Sequence, residues 1–145
     1  MTSAHITFEP GVCPGYIEDI APRLRATDRR ELAAAGTTPL HSLASSVAMS
    51  FLTRSVYVDG SPCGIWGVAD APGLDGTGIP WFLATDAVSR YPAEFLRVSL
   101  GVVAEMAQHR PFLINYTHAE HAESLRWLPR LGFTIHRDRR IELPT

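Results

Sequence analysis

The sequence predicts a single α+β domain in which helices cover both faces of a mixed sheet (α/β/α layers). Its 145 residues have a mass of 15.9 kDa, the size of one domain, so we assign residues 1–145 to one unit. Strand and helix patterns are interleaved along the chain. A long helix pattern also separates two apolar strands, which indicates a crossover. We therefore expect the strands that end near Val88 and Tyr116 to be parallel.

The first strand and helix are indicated by alternation and by a proline-glycine pair. Ala4–Phe8 alternates apolar and polar residues and is predicted to be a strand. Pro14 and Gly15 precede a helical pattern that Pro22 ends or bends. The apolar positions of this helix are Tyr16, Ile17, Ile20 and Leu24.

Two more helix starts follow. Asp28 and Glu31 have the spacing of a capping box, which predicts a short helix ending at Gly36. Thr38 and Pro39 form a second start, a capping side chain followed by proline in the first helical position. The apolar positions of this helix are Leu40, Leu43, Val47 and Phe51.

A hairpin and a third strand make up the middle of the chain. Ser55–Asp59 and Pro62–Val68 are apolar runs joined at Gly60, and an Asp-Gly pair is a strong hairpin signal. Ala71–Gly78 is rich in glycine, proline and aspartate, so we expect a loop. Pro80–Val88 is predicted to be a strand.

The second half begins with the best helix pattern. Pro92–Gln108 has a continuous apolar stripe. Phe112–Tyr116 then resembles a buried strand, and Ala119–Leu131 is predicted to be a helix closed by Gly132. The final predicted strands are Phe133–His136 and Arg139–Leu143.

Composition excludes several classes of function. Hydrophobic residues are 46 % and the net charge is −2, so neither a nucleic acid nor an anionic membrane is an expected partner. All 13 basic residues are arginines, which excludes a Schiff-base lysine and a phosphate-loop lysine. Cys13 and Cys63 match no zinc or redox spacing, so we expect free thiols and no metal. Met1–Pro10 lacks the features of a signal peptide, so we do not expect the protein to be secreted. The stretch Leu32–Thr53 is interrupted, so we predict two helices there instead of a membrane span.

The order and lengths of the predicted elements, and most specifically the spacing of residues from His121 to Phe133, are similar to those of the GNAT acetyltransferase superfamily. In members of that superfamily, the helix after the fifth strand often begins with Asn, followed by a small residue, an apolar residue, a Tyr and then Leu-Gly-Phe. This chain has His121, Ser124, Leu125 and Leu128 in that register, followed by Leu131-Gly132-Phe133. The resemblance implies a GNAT-like mixed sheet with a central parallel strand pair and crossover helices.

A narrower resemblance covers nearly the whole chain. The strings Trp81–Asp86, Leu113–Tyr116 and Ser124–Leu128 look like the phage internal virion protein A family of short-tailed phages. That family implies a late protein needed in particle assembly, with other phage structural proteins as partners. Its expected location is the host cytoplasm and possibly the virion.

Acetyl transfer would require a turn that holds the pyrophosphate of acetyl-CoA. In the superfamily a glycine-rich turn before the long helix offers backbone N–H groups. Here the segment is 89–94, which lacks glycine, has Pro92 without an N–H, and adds bulk at Tyr91 and a negative charge at Glu94. If cofactor binding is retained, we expect Val88, Arg90 and Ala93 to contribute to it.

Two further departures affect the chemistry. Leu128 stands in register with the Tyr that protonates the leaving thiolate, and His121 replaces the Asn. We therefore expect a virion-assembly or internal virion protein that has lost acetyl-CoA binding and is not an enzyme. The alternatives are an active N-acetyltransferase that uses acetyl-CoA, and a module that binds a ligand or protein in the cleft between the parallel strands.

Several single residues have two interpretations each. His118 and His121, beside Glu120 and Glu123, could act as a base or bind a metal, but capping and surface polarity at a helix start are favoured. The cluster Arg137, Arg139 and Arg140 around Asp138 could meet a phosphate or an acidic partner, while a solvated turn is favoured.

The remaining candidates lie on or near predicted strands. Asp86 is expected to cap a turn rather than accept a proton from an amine. Asn115 could bind a ligand in the cleft, but more often such a residue satisfies a neighbouring backbone group where strands separate. The three tryptophans are expected in or beside the core: Trp66, Trp81 and Trp127.

Overall fold

The fold is an α+β arrangement around a five-stranded mixed sheet. The computed structural model describes residues 4–117 and 122–136. The strands are β1 (Ile6–Pro10), β2 (Ser50–Val58), β3 (Ser61–Asp70), β4 (Thr77–Ala84) and β5 (Phe112–Leu113). The helices are α1 (Tyr16–Ile20), α2 (Ala26–Ala34), α3 (Pro39–Met49), α4 (Pro92–His109) and α5 (Ala122–Trp127). Short 3₁₀ turns occupy Ala21–Arg23, Asp86–Ser89 and Pro129–Leu131.

The strands lie side by side in chain order. β1 to β4 are antiparallel, whereas β4 and β5 are parallel, with Thr77 opposite Phe112 and Gly78 opposite Leu113. The predicted parallel pair is therefore confirmed, and α4 is the crossover between its strands. The predicted hairpin is confirmed too, because Asp59 and Gly60 both have positive φ, the backbone that a tight two-residue turn requires.

Side chains on the two faces of the sheet form two apolar clusters. Trp66, Val68 and Ala84 belong to the cluster that includes α4 residues Phe95, Val102 and Met106. Ile65 and Leu83 belong to the other cluster, with Leu43 of α3 and Tyr16 and Ile20 of α1. Because side chains alternate along a strand, even-numbered residues of β4 face α4, and odd-numbered residues face α1 and α3.

Tyr16 ties α1 to an irregular point of the sheet. The pairing of β2 with β3 shifts register between Val56 and Tyr57. The Tyr16 hydroxyl lies 2.6 Å from the carbonyl oxygens of Val56 and Gly64, and it accepts a hydrogen bond from the Gly64 N–H. Burial raises the pKa of this hydroxyl to about 12, so it is a structural hydrogen-bonding group rather than a proton-transfer group.

In the first half of the chain, three element boundaries differ from the sequence prediction. The first strand lies two residues later than predicted, at Ile6–Pro10. Leu24 lies beyond its predicted helix and bridges Thr85. Asp28 does not cap α2, which begins two residues earlier, because the Asp28 carboxylate is buried and paired with Arg25.

The hairpin and the third strand also differ in extent. Phe51 belongs to β2 instead of α3, since pairing with β3 begins at Ser50. Similarly, β4 occupies Thr77–Ala84, not Pro80–Val88. The loop before it is shorter than predicted, and Asp86–Ser89 forms a 3₁₀ turn in which Thr85 accepts from the Ala87 N–H.

The last part of the described chain is less regular than predicted. β5 ends at Leu113, because beyond it the Asn115 side chain replaces backbone pairing. The helix α5 ends at Trp127, and Gly132 follows Pro129–Leu131 with a φ of 100°, the backbone expected of a closing glycine. Phe133–His136 does not form the predicted strand. The predicted strand Arg139–Leu143 lies outside the described residues.

Candidate functional site

The parallel strands β4 and β5 separate almost as soon as they pair. Their pairing ends with the Ile114 N–H, which donates to the Gly78 carbonyl oxygen at 3.0 Å. Pro80 has no N–H to continue the ladder. The Asn115 side-chain amide instead donates to the Pro80 carbonyl oxygen at 2.6 Å. Asn115 therefore satisfies a backbone group where the strands diverge, which is the role that the sequence favoured.

The carboxyl end of β4 is bound by α2. The Arg25 N–H donates to the Ala84 carbonyl oxygen at 2.9 Å, and the Ala84 N–H donates to the Asp28 carboxylate at 3.1 Å. Arg25 and Asp28 are held together by two hydrogen bonds of 3.0 Å, and both side chains are almost fully buried. A buried ion pair with backbone partners on the sheet fixes the position of this strand end.

Between these two anchors lies Phe82. Backbone groups alternate in direction along a strand, and those of Thr85 face β3, since the Thr85 N–H donates to the Cys63 carbonyl oxygen. The N–H and C=O of Phe82 therefore face the β5 side, where no strand among residues 4–117 and 122–136 pairs with them. We call the space beside Phe82 the β4–β5 gap. A backbone N–H in such a gap can donate to a developing oxyanion.

A cavity of about 290 Å³ lies where β4 turns into α4, and we call it the turn cavity. It has an apolar wall and two cationic side chains from the end of α5 and the following turn, Arg126 and Arg130. Its lining residues are Val88, Ser89, Pro92, Phe95, Leu96, Arg126, Trp127 and Arg130. Such a volume is at the lower end of the range of about 300–1,000 Å³ typical of small-molecule sites.

Aromatic rings connect the turn cavity to the β4–β5 gap. The ring of Phe82 lies 5.3 Å from that of Phe95, and the ring of Phe95 lies 5.2 Å from that of Trp127. Trp66 stacks on the other side of Phe82 at 4.6 Å. Phe95 and Trp127 line the cavity, and the Phe82 backbone borders the gap, so these packed rings connect the two spaces.

The side chains expected to obstruct the turn are directed elsewhere. The Tyr91 ring stacks on His5 with centroids 4.1 Å apart, and its hydroxyl donates to Asp59. The Glu94 carboxylate accepts from the Ile6 N–H at 2.5 Å. Neither Tyr91 nor Glu94 lines the turn cavity. The first turn of α4 also has no side-chain cap.

The three residues expected to bind a cofactor have different environments. Val88 lines the turn cavity and is buried. The Arg90 guanidinium instead forms an ion pair with Asp59 at 2.9 Å. Ala93 lies in the first turn of α4 but does not line the cavity.

Asp59 is the centre of a surface cluster beside the turn. Its carboxylate accepts from Arg90 and Tyr91 and lies 3.2 Å from His5 Nδ1. The hydrogen bond from Arg90 is the main cause that holds the pKa of Asp59 below its ordinary value. The cluster joins the hairpin to the turn and to the start of β1, and it keeps Arg90 out of the cavity.

The other residues that the sequence singled out either have structural roles or fall outside the residues that the structure describes. Trp66 is buried and Trp81 and Trp127 are partly buried, as expected of core residues. Asp86 is exposed, and the cap of its turn is Thr85. The cysteines are free, as expected. The candidates His118, Glu120, His121 and the arginine cluster 137–140 lie outside the described residues, as does the side chain of Glu123.

Sequence reasoning missed the residues that supply the positive charge. Arg126 and Arg130 are four residues apart, the spacing that places side chains on one face of a helical segment. That spacing was the available signal, but the phosphate contacts were predicted at the turn 89–94 and at the arginine cluster 137–140 instead. Arg25 and Asp28 were missed because their pattern matched a helix cap.

Within 4–117 and 122–136, no cluster of three metal-ligating side chains occurs. No helix in this part of the chain is long and apolar enough to cross a membrane.

Comparisons with known proteins support the fold. No protein-family model and no curated protein matches the chain. Among solved structures, the aminoglycoside N-acetyltransferase AAC(6')-Iy in complex with CoA has a TM-score of 0.62 and 12 % identity, with 99 % of this chain and 97 % of that chain covered. The IAA acetyltransferase from Bacillus cereus has a TM-score of 0.59 and 15 % identity, with 90 % and 78 % covered.

A third solved structure agrees with these two. The aminoglycoside 6'-N-acetyltransferase AAC(6')-Ih from Acinetobacter baumannii has a TM-score of 0.59 and 11 % identity, with 97 % of each chain covered. Identities this low establish the fold alone. The chain has the GNAT acetyltransferase fold, as the motif ending in Leu131-Gly132-Phe133 predicted.

Proposed function

We propose that this protein is an N-acetyltransferase that transfers an acetyl group from acetyl-CoA to an amine. The observation that carries the proposal is the β4–β5 gap, which leaves the Phe82 N–H unpaired by any described strand beside a cavity containing two arginines. The alternative that the sequence left open is thus preferred to loss of cofactor binding.

The residues of the turn cavity suit a diphosphate. Guanidinium groups bind phosphate oxygens through charge-assisted hydrogen bonds, and Arg126 and Arg130 both line this space. The first turn of α4, whose Pro92 lines this space, has no side-chain cap, and the positive end of the helix dipole favours an anion there. These donors stand in for the glycine-rich turn that the chain lacks.

When bound, acetyl-CoA supplies an acetyl group as a thioester. The amine nitrogen forms a bond to the acetyl carbon, the carbon–sulfur bond breaks, the amine loses a proton, and the departing sulfur takes one up. The Phe82 N–H is the group of this chain that would donate to the thioester oxygen. Leu128 offers no proton, so we expect water to deliver it to the sulfur.

The proposal is tested by binding and by turnover. At 100 times its dissociation constant, acetyl-CoA should stabilise the fold by about 2.7 kcal/mol, which corresponds to a rise of roughly 5–10 °C in Tm. Release of free thiol from acetyl-CoA should then depend on an added amine. No rise in Tm with millimolar acetyl-CoA, together with no amine-dependent thiol release, would contradict the proposal.

The phage-family resemblance implies a different role, in particle assembly. The feature that would suit protein contact is an exposed apolar row, Phe112, Ile114 and Tyr116, at and after β5. We retain assembly as a second proposal, in which the protein occurs in the host cytoplasm and in the particle. It predicts that the protein co-sediments with phage particles, and that Tyr116→Ser abolishes co-sedimentation without lowering Tm.

A further inference from the structure

A second cavity, of about 270 Å³, lies on the opposite face of the sheet beside α3, and we call it the α3 cavity. Ile79 and Trp81 of β4 form one wall and Met49 of α3 another. Both β4 residues are odd-numbered and face α3, whereas Phe82 between the anchors faces α4. The turn cavity and the α3 cavity thus lie on opposite sides of the same strand.

The two cavities are brought together at the β4–β5 gap. Asn115 lines the α3 cavity, and the same side chain donates to the Pro80 carbonyl oxygen where the strands separate. Pro80 is next to Trp81 and two residues from Phe82. A molecule in the α3 cavity therefore approaches the gap from the face opposite the turn cavity.

Two polar side chains of the α3 cavity, Trp81 and Asn115, already form hydrogen bonds. The Trp81 indole N–H donates to the Ser50 hydroxyl at 2.8 Å, and one face of the ring lies over Gly67 of β3, so a ligand would contact the other face. Both ends of the Asn115 side-chain amide are hydrogen-bonded. Its nitrogen donates to the Pro80 carbonyl oxygen, and its oxygen accepts from the Tyr116 N–H at 2.7 Å. Apart from Ser46 and Asp70, the rest of the lining is apolar.

Asp70 is the only charged residue that lines this cavity among the described residues. Arg110 Nε donates to one of its carboxylate oxygens at 2.6 Å, and this bond is the main cause that lowers the pKa of Asp70. Asp70 thus stays ionised, and because Arg110 binds its Oδ1, its Oδ2 can accept a hydrogen bond from an ammonium group. One such carboxylate suits one ammonium group, and a polycation would leave its other charges without partners.

We propose that the α3 cavity binds the acceptor, and that the acceptor is a small monoamine on an apolar or aromatic body. This inference rests on the proposed acetyl transfer for its meaning, but binding can be measured without acetyl-CoA. Trp81 would pack against the body of the amine, Met49 would adapt to its shape, and Asp70 would attract the ammonium group. Spermidine and aminoglycosides should be poor acceptors.

The test uses ligand-observed NMR with phenethylamine as the probe. Met49→Arg places a cation and extra bulk at the cavity rim, at a position that is 71 % exposed and therefore tolerant of change. The matched control is Leu40→Arg, on the same helix, 51 % exposed and outside the cavity. We expect phenethylamine to bind the wild type and the control, and to bind M49R at least tenfold more weakly.

Kinetics with saturating acetyl-CoA separate this inference from the proposed function. We expect M49R to raise the KM for phenethylamine while the KM for acetyl-CoA stays within twofold of the wild type. Equal phenethylamine binding by M49R and wild type, no binding by either, or higher kcat/KM for spermidine than for phenethylamine overturns the inference. Failure of acetyl-CoA to bind overturns the proposed function instead, and the NMR result for the cavity stands on its own.

Discussion

The Glu94 carboxylate, in the first turn of α4, accepts a hydrogen bond from the backbone N–H of Ile6 at the start of β1. These residues are 88 positions apart, and Ile6 is buried. The bond ties the edge strand to the long helix. It also explains how a negative charge can occupy this turn without facing the turn cavity.

Replacing Glu94 should therefore destabilise the fold. Glu94→Ala leaves the N–H of a buried residue without its acceptor, which costs about 1–3 kcal/mol. Glu94→Gln keeps an oxygen acceptor and should cost less. Urea unfolding of both variants measures the difference. Equal stability of Glu94→Ala and the wild type would show that the bond contributes nothing.

Removing either arginine of the turn cavity should weaken acetyl-CoA binding. Charge-assisted hydrogen bonds are worth about 1.5–3 kcal/mol, and solvent exposure favours the lower figure. Arg126→Ala and Arg130→Ala should each raise the Kd about tenfold in isothermal titration. Arg30→Ala, an exposed arginine on α2, is the control and should leave the Kd unchanged. Equal Kd values for all three variants would count against the cavity as the phosphate site.

The buried pair Arg25–Asp28 should matter far more to stability than a similar pair on the surface. Arg25→Ala removes one partner of a buried ion pair, and such changes cost about 3–5 kcal/mol. The matched control is Arg23→Ala, because Arg23 pairs with Asp19 where both side chains are about half exposed. That variant should lose at most about 0.5 kcal/mol. Urea unfolding that gives similar losses for both would contradict the prediction.

The Asp59 cluster should make stability depend on acid pH. Arg90 lowers the pKa of Asp59 in the folded protein, so the stabilisation is present above the unfolded-state pKa and is lost as pH falls through the folded one. Asp59→Asn keeps a residue that tolerates the positive φ of 50°. Its Tm should be below that of the wild type at pH 7, and the two should converge in acid.

A carboxylate without an ion pair among the described residues provides the control for this measurement. Asp75 is exposed in the turn before β4. Asp75→Asn should give a Tm curve against pH parallel to that of the wild type. A constant difference between Asp59→Asn and the wild type from neutral to acid pH would mean that the ion pair with Arg90 contributes nothing.

The two cysteines should differ in reactivity with a thiol reagent. Cys63 is fully buried, and burial raises the pKa of its thiol to about 12, so little thiolate forms near neutral pH. Cys13 is exposed. We expect a disulfide reagent to modify one thiol in the folded protein and two in denaturant. Rapid modification of Cys63 in the native state, seen by mass spectrometry, would contradict its burial.

The sequence predicted most elements because their signals are local. The Asp59-Gly60 hairpin, the proline start of α4 and the closing Gly132 each depend on backbone conformations that only a few residue types favour. The parallel pairing of β4 and β5 was predicted from the general rule that a helix between two neighbouring strands forms a right-handed crossover. Boundaries were wrong where a distant partner decides, as for Phe51, which lies in β2 because its neighbours Ser50 and Leu52 pair with β3.

The site was harder to predict because its charges come from separate segments. The turn 89–94 holds Glu94 and Tyr91, but their directions depend on Ile6, His5 and Asp59, which no spacing in the sequence reveals. Arg126 and Arg130 reach the turn only through the packing of Trp127 on Phe95. Asn115 was interpreted correctly, since an amide in an apolar strand must satisfy a nearby backbone group.

Pro80 has a consequence for the speed of ligand capture. A residue with a backbone N–H at this position could hydrogen-bond to the segment that follows β5. That bond would have to break before each ligand could enter the β4–β5 gap. Because proline has no N–H, this hydrogen bond cannot form, and the β4–β5 gap is already open in the free protein. Association should therefore follow simple second-order kinetics, with no slow isomerisation ahead of the encounter.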